Sequence, residues 1–162
     1  MARALIVGCG CRGRELGGEL LARGWQIRGT SRRPEGLDEI AAAGFDPAPA
    51  DPDRPGTVLE LCGDVTALVW LLGSATGDRE LVAAVNGPRL ERLLEKLVDT
   101  PVRGVLYEAV GGVDAAILAE GRGIVERAGR TWRMPVATLG EDRTAPGWAA
   151  RAAEAVRRLL AV

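Results

Sequence analysis

At 162 residues, 47% of them hydrophobic, the chain is long enough to enclose a core without disulfide or metal staples, and one domain over residues 1–162 is expected. Twenty-one basic residues against 22 acidic ones leave a formal charge of −1, which argues against a nucleic-acid binder and favours small-molecule binding. Histidine is absent, so imidazole acid–base chemistry is excluded, and three cysteines are too few for a four-thiolate zinc centre; no metal site is expected.

Lys96 is the only lysine, so a catalytic lysine has a single candidate. Cys9, Cys11 and Cys62 suit a reducing compartment better than a disulfide framework. No apolar stretch reaches transmembrane length, and the N-terminal apolar run is only a strand long, unlike a signal peptide. A soluble cytoplasmic protein without membrane contact is the expectation.

The first element is the most informative. Ala4 to Val7 is an apolar run of strand length that leads directly into Gly8-Cys9-Gly10-Cys11-Arg12-Gly13, and an amphipathic stretch with Leu16, Leu20 and Leu21 follows. A Gly-x-Gly-x-x-Gly between a strand and a helix is a dinucleotide-binding signature. Gly8 lets the chain turn off the strand, Gly10 lets backbone amides approach a pyrophosphate, and Gly13 lets the helix pack closely on the sheet. The amides of Cys11 and Arg12, at the helix start, hold phosphate oxygens without requiring a basic side chain.

Gly24 ends this helix, and Trp25 to Thr30 reads as a second strand followed by the basic loop Ser31-Arg32-Arg33-Pro34. Leu37 to Ala43 is helical, Phe45 to Ala48 supplies a short third strand, and Thr57 to Leu61 a short helix. Val65 to Leu72 is a nearly continuous apolar run that suits a central parallel strand buried on both faces. Pro88 to Val98 places Leu90, Leu93, Leu94 and Leu97 on one helical face, with Asn86 positioned as its cap. Val102 to Tyr107 forms a fifth strand and Asp114 to Ala128 a helix weakened by Gly121 and Gly123. Trp132 to Leu139 forms a sixth strand that Pro135 assigns to an edge. Gly147 to Ala161 closes the chain as a helix whose Trp148, Ala152, Val156 and Leu159 face the sheet. The alternation predicts an α/β class, a doubly wound parallel sheet (Rossmann) of about six strands in one domain.

The end of the second strand selects the cofactor, because an acid there bonds the ribose hydroxyl of NAD whereas arginine accommodates the 2′-phosphate of NADP. The stretch Arg28-Gly29-Thr30-Ser31-Arg32-Arg33 holds no acid before Glu35, and Thr30, Ser31, Arg32 and Arg33 together suit a phosphate. NADP is the expected cofactor; a solvated arginine loop is the alternative. Tyr107 and Glu108 end a central strand, where ligands bind in open α/β sheets, and are the weak catalytic candidates. A buried aromatic and a solvated carboxylate are their alternatives. Redox use of Cys9 and Cys11 is weighed against small loop-filling side chains, and the latter is favoured.

These residues, with Ala50-Asp51 and the apolar strand ending at Leu72-Gly73-Ser74, resemble the extended and atypical short-chain dehydrogenases/reductases, the sugar epimerase and dehydratase group. The resemblance covers the chain to about the sixth strand. It implies that Asp51 contacts adenine, that Leu72, Gly73 and Ser74 line the cofactor, and that Arg32 takes the 2′-phosphate. Those enzymes carry a Tyr-x-x-x-Lys pair and a Ser or Thr at the end of the fifth strand. Here that strand runs out as Tyr107-Glu108-Ala109-Val110-Gly111-Gly112, and Ala115 to Ala128 contains neither Tyr nor Lys. The chain is also shorter than those enzymes, ending where their substrate domain would be built.

Three functions compete. The first is an NADP-binding domain without the usual catalytic pair, serving as a cofactor sensor or regulatory binding protein. The second is an unusual NADP-dependent oxidoreductase or epimerase, and the third a structural interaction domain, against which the intact glycine loop argues. The sequence names no substrate and leaves a homodimer or an unidentified protein partner open.

Overall fold

In the computed structural model, which describes residues 1–161, strands and helices alternate along the chain. The elements are β1 (Arg3–Val7), α1 (Cys11–Ala22), β2 (Gln26–Ser31), α2 (Pro34–Ala42), β3 (Asp46–Pro49), α3 (Pro55–Leu59) and β4 (Ala67–Trp70). They continue as α4 (Arg79–Val85), α5 (Pro88–Leu97), β5 (Gly104–Glu108), α6 (Ala115–Trp132), β6 (Val136–Leu139) and α7 (Trp148–Leu159). The six strands form one sheet in the order β3-β2-β1-β4-β5-β6, and every pairing is parallel. The order reverses between β1 and β4, so the carboxyl ends of these two strands open the crevice in which such sheets bind ligands.

Alternation along the strands builds two cores. Leu5, Leu68, Trp70, Val105 and Tyr107 face α5 and α6, whose Leu90, Leu93, Leu97, Leu118 and Val125 cover them. Ile6, Val69 and Leu106 face the other way, against Leu16 and Leu20 of α1, Ile40 of α2 and Trp148, Ala152 and Val156 of α7. All four residues of β4 are buried, as a central parallel strand covered on both faces requires. At the sheet's edge, β6 pairs with β5 alone, and Pro135, with no amide hydrogen, precedes it and offers its carbonyl to the Val105 N–H at 3.1 Å.

Several sequence expectations are corrected. The fourth strand spans only Ala67–Trp70, because Thr66 and Leu71 bond singly across to Arg3 and Val7 without extending the ladder. Residues 79–85 form α4, started by the Asp78 carboxylate accepting the Glu80 N–H at 2.9 Å. Asn86 follows α4 and does not cap α5, which starts from Gly87 with Pro88 in its first turn. Leu21 falls off the apolar stripe of α1 and is exposed. Trp132 closes α6 instead of opening β6, with Arg133 in the left-handed conformation ending the helix.

Gly121, expected to weaken α6, serves its packing. A Cβ there would collide with the Tyr107 hydroxyl and lie 2.8 Å from the Asn86 carbonyl oxygen, so the missing side chain is what lets α6 approach the sheet. Gly121→Ala should therefore destabilise the protein by about 1–3 kcal/mol through overpacking, although alanine favours helix. Chemical denaturation checks this; an equal or raised stability would mean that α6 can move away from Tyr107 without penalty.

Candidate functional site

The crevice begins where β1 ends. Gly8 turns the chain at a φ of +90°, and a Cβ on it would collide with the Leu71 carbonyl. Gly13 lies beneath the turn, where a Cβ would approach the Gly8 carbonyl oxygen to 2.8 Å. Over Gly10 the space is open: a Cβ there meets no atom within 4 Å. The first bond of α1 runs from the Arg14 N–H to the Gly10 carbonyl at 2.8 Å, and no side chain caps the helix. The amides of Cys11, Arg12 and Gly13 thus precede the helical ladder, and with the helix dipole they form an anion cradle.

A cavity of about 270 Å³ lies beside this cradle. Of the residues singled out from the sequence, Gly8, Cys9, Gly10, Thr30, Ser31, Arg32, Arg33, Asp51 and Leu72 line it. The others stand outside the lining. Cys11 is exposed at the helix start, Arg12 pairs with Glu15 at 2.9 Å, Gly13 is buried, and Gly73 and Ser74 are bonded into the loops beyond. Arg28 points elsewhere, its guanidinium shared by Asp46 and Asp64 at 2.7 Å each.

The basic corner is built by a local turn. The Ser31 hydroxyl accepts the Arg33 N–H at 3.1 Å, bending the chain so that Arg32 and Arg33 are both presented at the cavity. Among the described residues, the ion pairs include none made by Arg32 or Arg33, although most arginines of the chain have an acidic partner. Three charged residues of this wall were not singled out from the sequence. Arg14 of α1 and Glu39 of α2 meet at 2.9 Å beside the cavity, so the arginine neutralises that carboxylate. Asp53, also in the lining, is paired with Arg89 at 3.1 Å.

Beyond Leu72 the crevice changes character. Glu108 is fully buried at the end of β5. Its carboxylate accepts the Gly73 N–H at 2.9 Å and two bonds from Arg143, from Nε at 3.0 Å and Nη2 at 2.6 Å. Tyr107 is equally buried and donates its hydroxyl to Asn86 Oδ1 at 2.9 Å. Burial, then the neighbouring Glu108 and Glu120 charges, push the Tyr107 phenol above its ordinary pKa. Lys96 is exposed on the last turn of α5.

The cysteines divide by exposure. Burial pushes the Cys9 thiol up to about 12 and the Cys62 thiol to about 11, whereas Cys11 is exposed at the start of α1.

No protein-family model matches the chain, and no curated protein does. Solved structures do. The NADP(H) complex of Citrobacter sp. triphenylmethane reductase aligns with a TM-score of 0.63 at 20% identity, over 83% of this chain and 48% of that one. UDP-glucuronic acid 4-epimerase from Bacillus cereus, in complex with NAD, aligns with a TM-score of 0.69 at 16% identity, over 86% of this chain and 56% of that one. An alcohol dehydrogenase from the archaeon Thermococcus sibiricus, complexed with 5-hydroxy-NADP, aligns with a TM-score of 0.68 at 19% identity, over 100% of this chain and 91% of that one. The chain spans about half the length of the first two.

Two outcomes follow from this geometry. Arg143→Met should cost about 3 kcal/mol, because it strands a buried carboxylate, and adding Glu108→Gln should recover part of the loss. Urea unfolding of the single and double variants checks it; an Arg143→Met protein of undiminished stability would show that the pair does not hold these loops. At pH 8, iodoacetamide should label Cys11 and leave Cys9 and Cys62 unmodified in the folded protein, as mass spectrometry of the digested product reads directly. At these identities the likeness establishes the fold, a doubly wound Rossmann-like α/β sheet shared with NAD(P)-dependent reductases and epimerases.

Proposed function

We propose that the crevice binds NADP and that the chain works as a cofactor-binding module, a sensor or regulatory protein, instead of by turnover. The observation that carries this reading is the juxtaposition of an uncapped helix start, open space over Gly10, and a corner holding Thr30, Ser31, Arg32 and Arg33 with no acid at the end of β2. The helix start suits a pyrophosphate and the two arginines a 2′-phosphate. Asp51 and Leu72 border the space left for adenosine. A reducing cytoplasm, in which three free thiols persist, accompanies this reading.

The solved neighbours favour a second reading, an NADP-dependent oxidoreductase or epimerase. Bound NADPH would supply a hydride, and the alkoxide formed on a carbonyl would need a proton donor, a contribution of typically ~10²–10⁴-fold. The groups near the strand ends are engaged otherwise: the Tyr107 hydroxyl serves Asn86, Glu108 is bound by Arg143 and Gly73, and Gly111 stands four residues after Tyr107. This supports binding over turnover. Tyr107→Phe should accordingly lose stability and leave NADPH affinity unchanged; NADPH-dependent carbonyl reduction that vanishes in this variant would establish the second reading.

Cofactor choice is the direct test. Because the arginines lie at the surface, solvent and salt screen part of their gain, and NADPH should be preferred over NADH by about ten- to a hundredfold. Arg32→Ala should erase most of that preference with little change in NADH affinity, and added salt should shrink it. Calorimetric titration of both cofactors reads each effect. Equal affinities at low salt would reduce the arginine corner to a solvated loop.

A further inference from the structure

A doubly wound sheet offers two nucleotide-sized halves, one over β1, β2 and β3 and one over β4, β5 and β6. In this chain the halves are unlike. The cavity is lined by the ends of β1 and β2, the segments following them, residues 50–53, and Leu72 with the first part of the chain beyond it to Val85; no lining residue comes from β5, β6 or the loops after them. Its volume of about 270 Å³ lies just below the range of roughly 300–1,000 Å³ found for small-molecule sites, small for a whole dinucleotide.

The second half is closed by bonds among its own loops. Both polar backbone atoms of Gly73 are spent, its N–H on Glu108 at 2.9 Å and its carbonyl on the Val113 N–H at 2.9 Å. The Ser74 hydroxyl accepts the Gly112 N–H at 3.2 Å, and Gly111 packs so tightly on Gly73 that a Cβ would collide with its backbone. Both oxygens of Glu108 are taken by Arg143. The loop that delivers Arg143 is itself braced, Asp142 accepting the Thr144 N–H at 2.8 Å and Arg151 reaching back to Glu141 at 2.9 Å. Opening this half for a second nucleotide would require unpairing a fully buried carboxylate, which is unfavourable.

We infer that the crevice recognises only the adenosine half of NADP, its 2′-phosphate, ribose, adenine and adjoining phosphate, and leaves the nicotinamide half outside the protein. The inference rests on the reading of the crevice as an NADP site. It makes the protein indifferent to whether the nicotinamide is oxidised or reduced, and it extends the ligand class to other adenosine 2′-phosphates.

Calorimetric titration of the full chain with adenosine 2′,5′-bisphosphate, NADPH and reduced nicotinamide mononucleotide tests it. The bisphosphate should bind within about threefold of NADPH, since a nicotinamide held by even one good hydrogen bond would add tenfold. The mononucleotide should displace neither. Acrylamide should quench the nicotinamide fluorescence of bound NADPH as readily as that of free NADPH. NADPH binding tenfold or more tighter than the bisphosphate, or a nicotinamide shielded from acrylamide, would overturn the half-site while the proposed cofactor stands. Binding of neither ligand would remove the NADP reading itself.

Discussion

A carboxylate with no exposure to water has to be matched by charge and hydrogen bonds, and the burial of Glu108 imposes that demand on everything around it. The match comes from two places far apart in the chain, the Gly73 N–H after β4 and the Arg143 guanidinium after β6. One side chain therefore ties the ends of three adjacent strands together. The same arrangement occupies the carboxyl ends of β4, β5 and β6, across the switch point from the cavity. The adjacent Tyr107 is drawn inward, its hydroxyl satisfied by Asn86 and overlain by α6 at Gly121.

The other half of the sheet is organised by the opposite condition, an uncapped helix start and two exposed arginines bordering open space. The tight approach of Gly13 to Gly8 sets the axis of α1 so that its start points over the crevice, and the absence of a capping side chain leaves that end free. The Ser31 turn brings the guanidinium groups of Arg32 and Arg33 to the same cavity. Arg14 answers Glu39 and Arg89 answers Asp53, pairing two of the three carboxylates in the cavity lining, of which Asp51 is the third. Closed on one side of the switch point and open on the other, the crevice is asymmetric in a way that the sheet order alone does not dictate.

Much of this was legible in the sequence, where it depended on local signals. The glycine spacing after an apolar strand fixed the position of the crevice, and the alternation of apolar runs fixed the sheet, because both are written in consecutive residues. Bonds between residues distant in the chain were not legible. Asn86 looks like a helix cap beside Pro88, yet its side chain answers a tyrosine 21 residues away. Gly121 looks like a weakness in a helix, and its purpose is visible only with Tyr107 in place. Arg14, Glu39 and Arg143 carry no motif, since an ion pair between neighbouring elements leaves no spacing to read. Glu108 reads equally well as an acid, a base or a surface charge until its three bonds are seen.

Amide hydrogen exchange, followed residue by residue with and without NADPH, distinguishes the open half of the crevice from the closed one. Bound NADPH should add protection at Cys11, Arg12 and Gly13 and along Thr30 to Arg33, with residues 108–113 and 140–147 exchanging as they do in the free protein. Protection concentrated in those two later segments, with the start of α1 unchanged, would contradict that division.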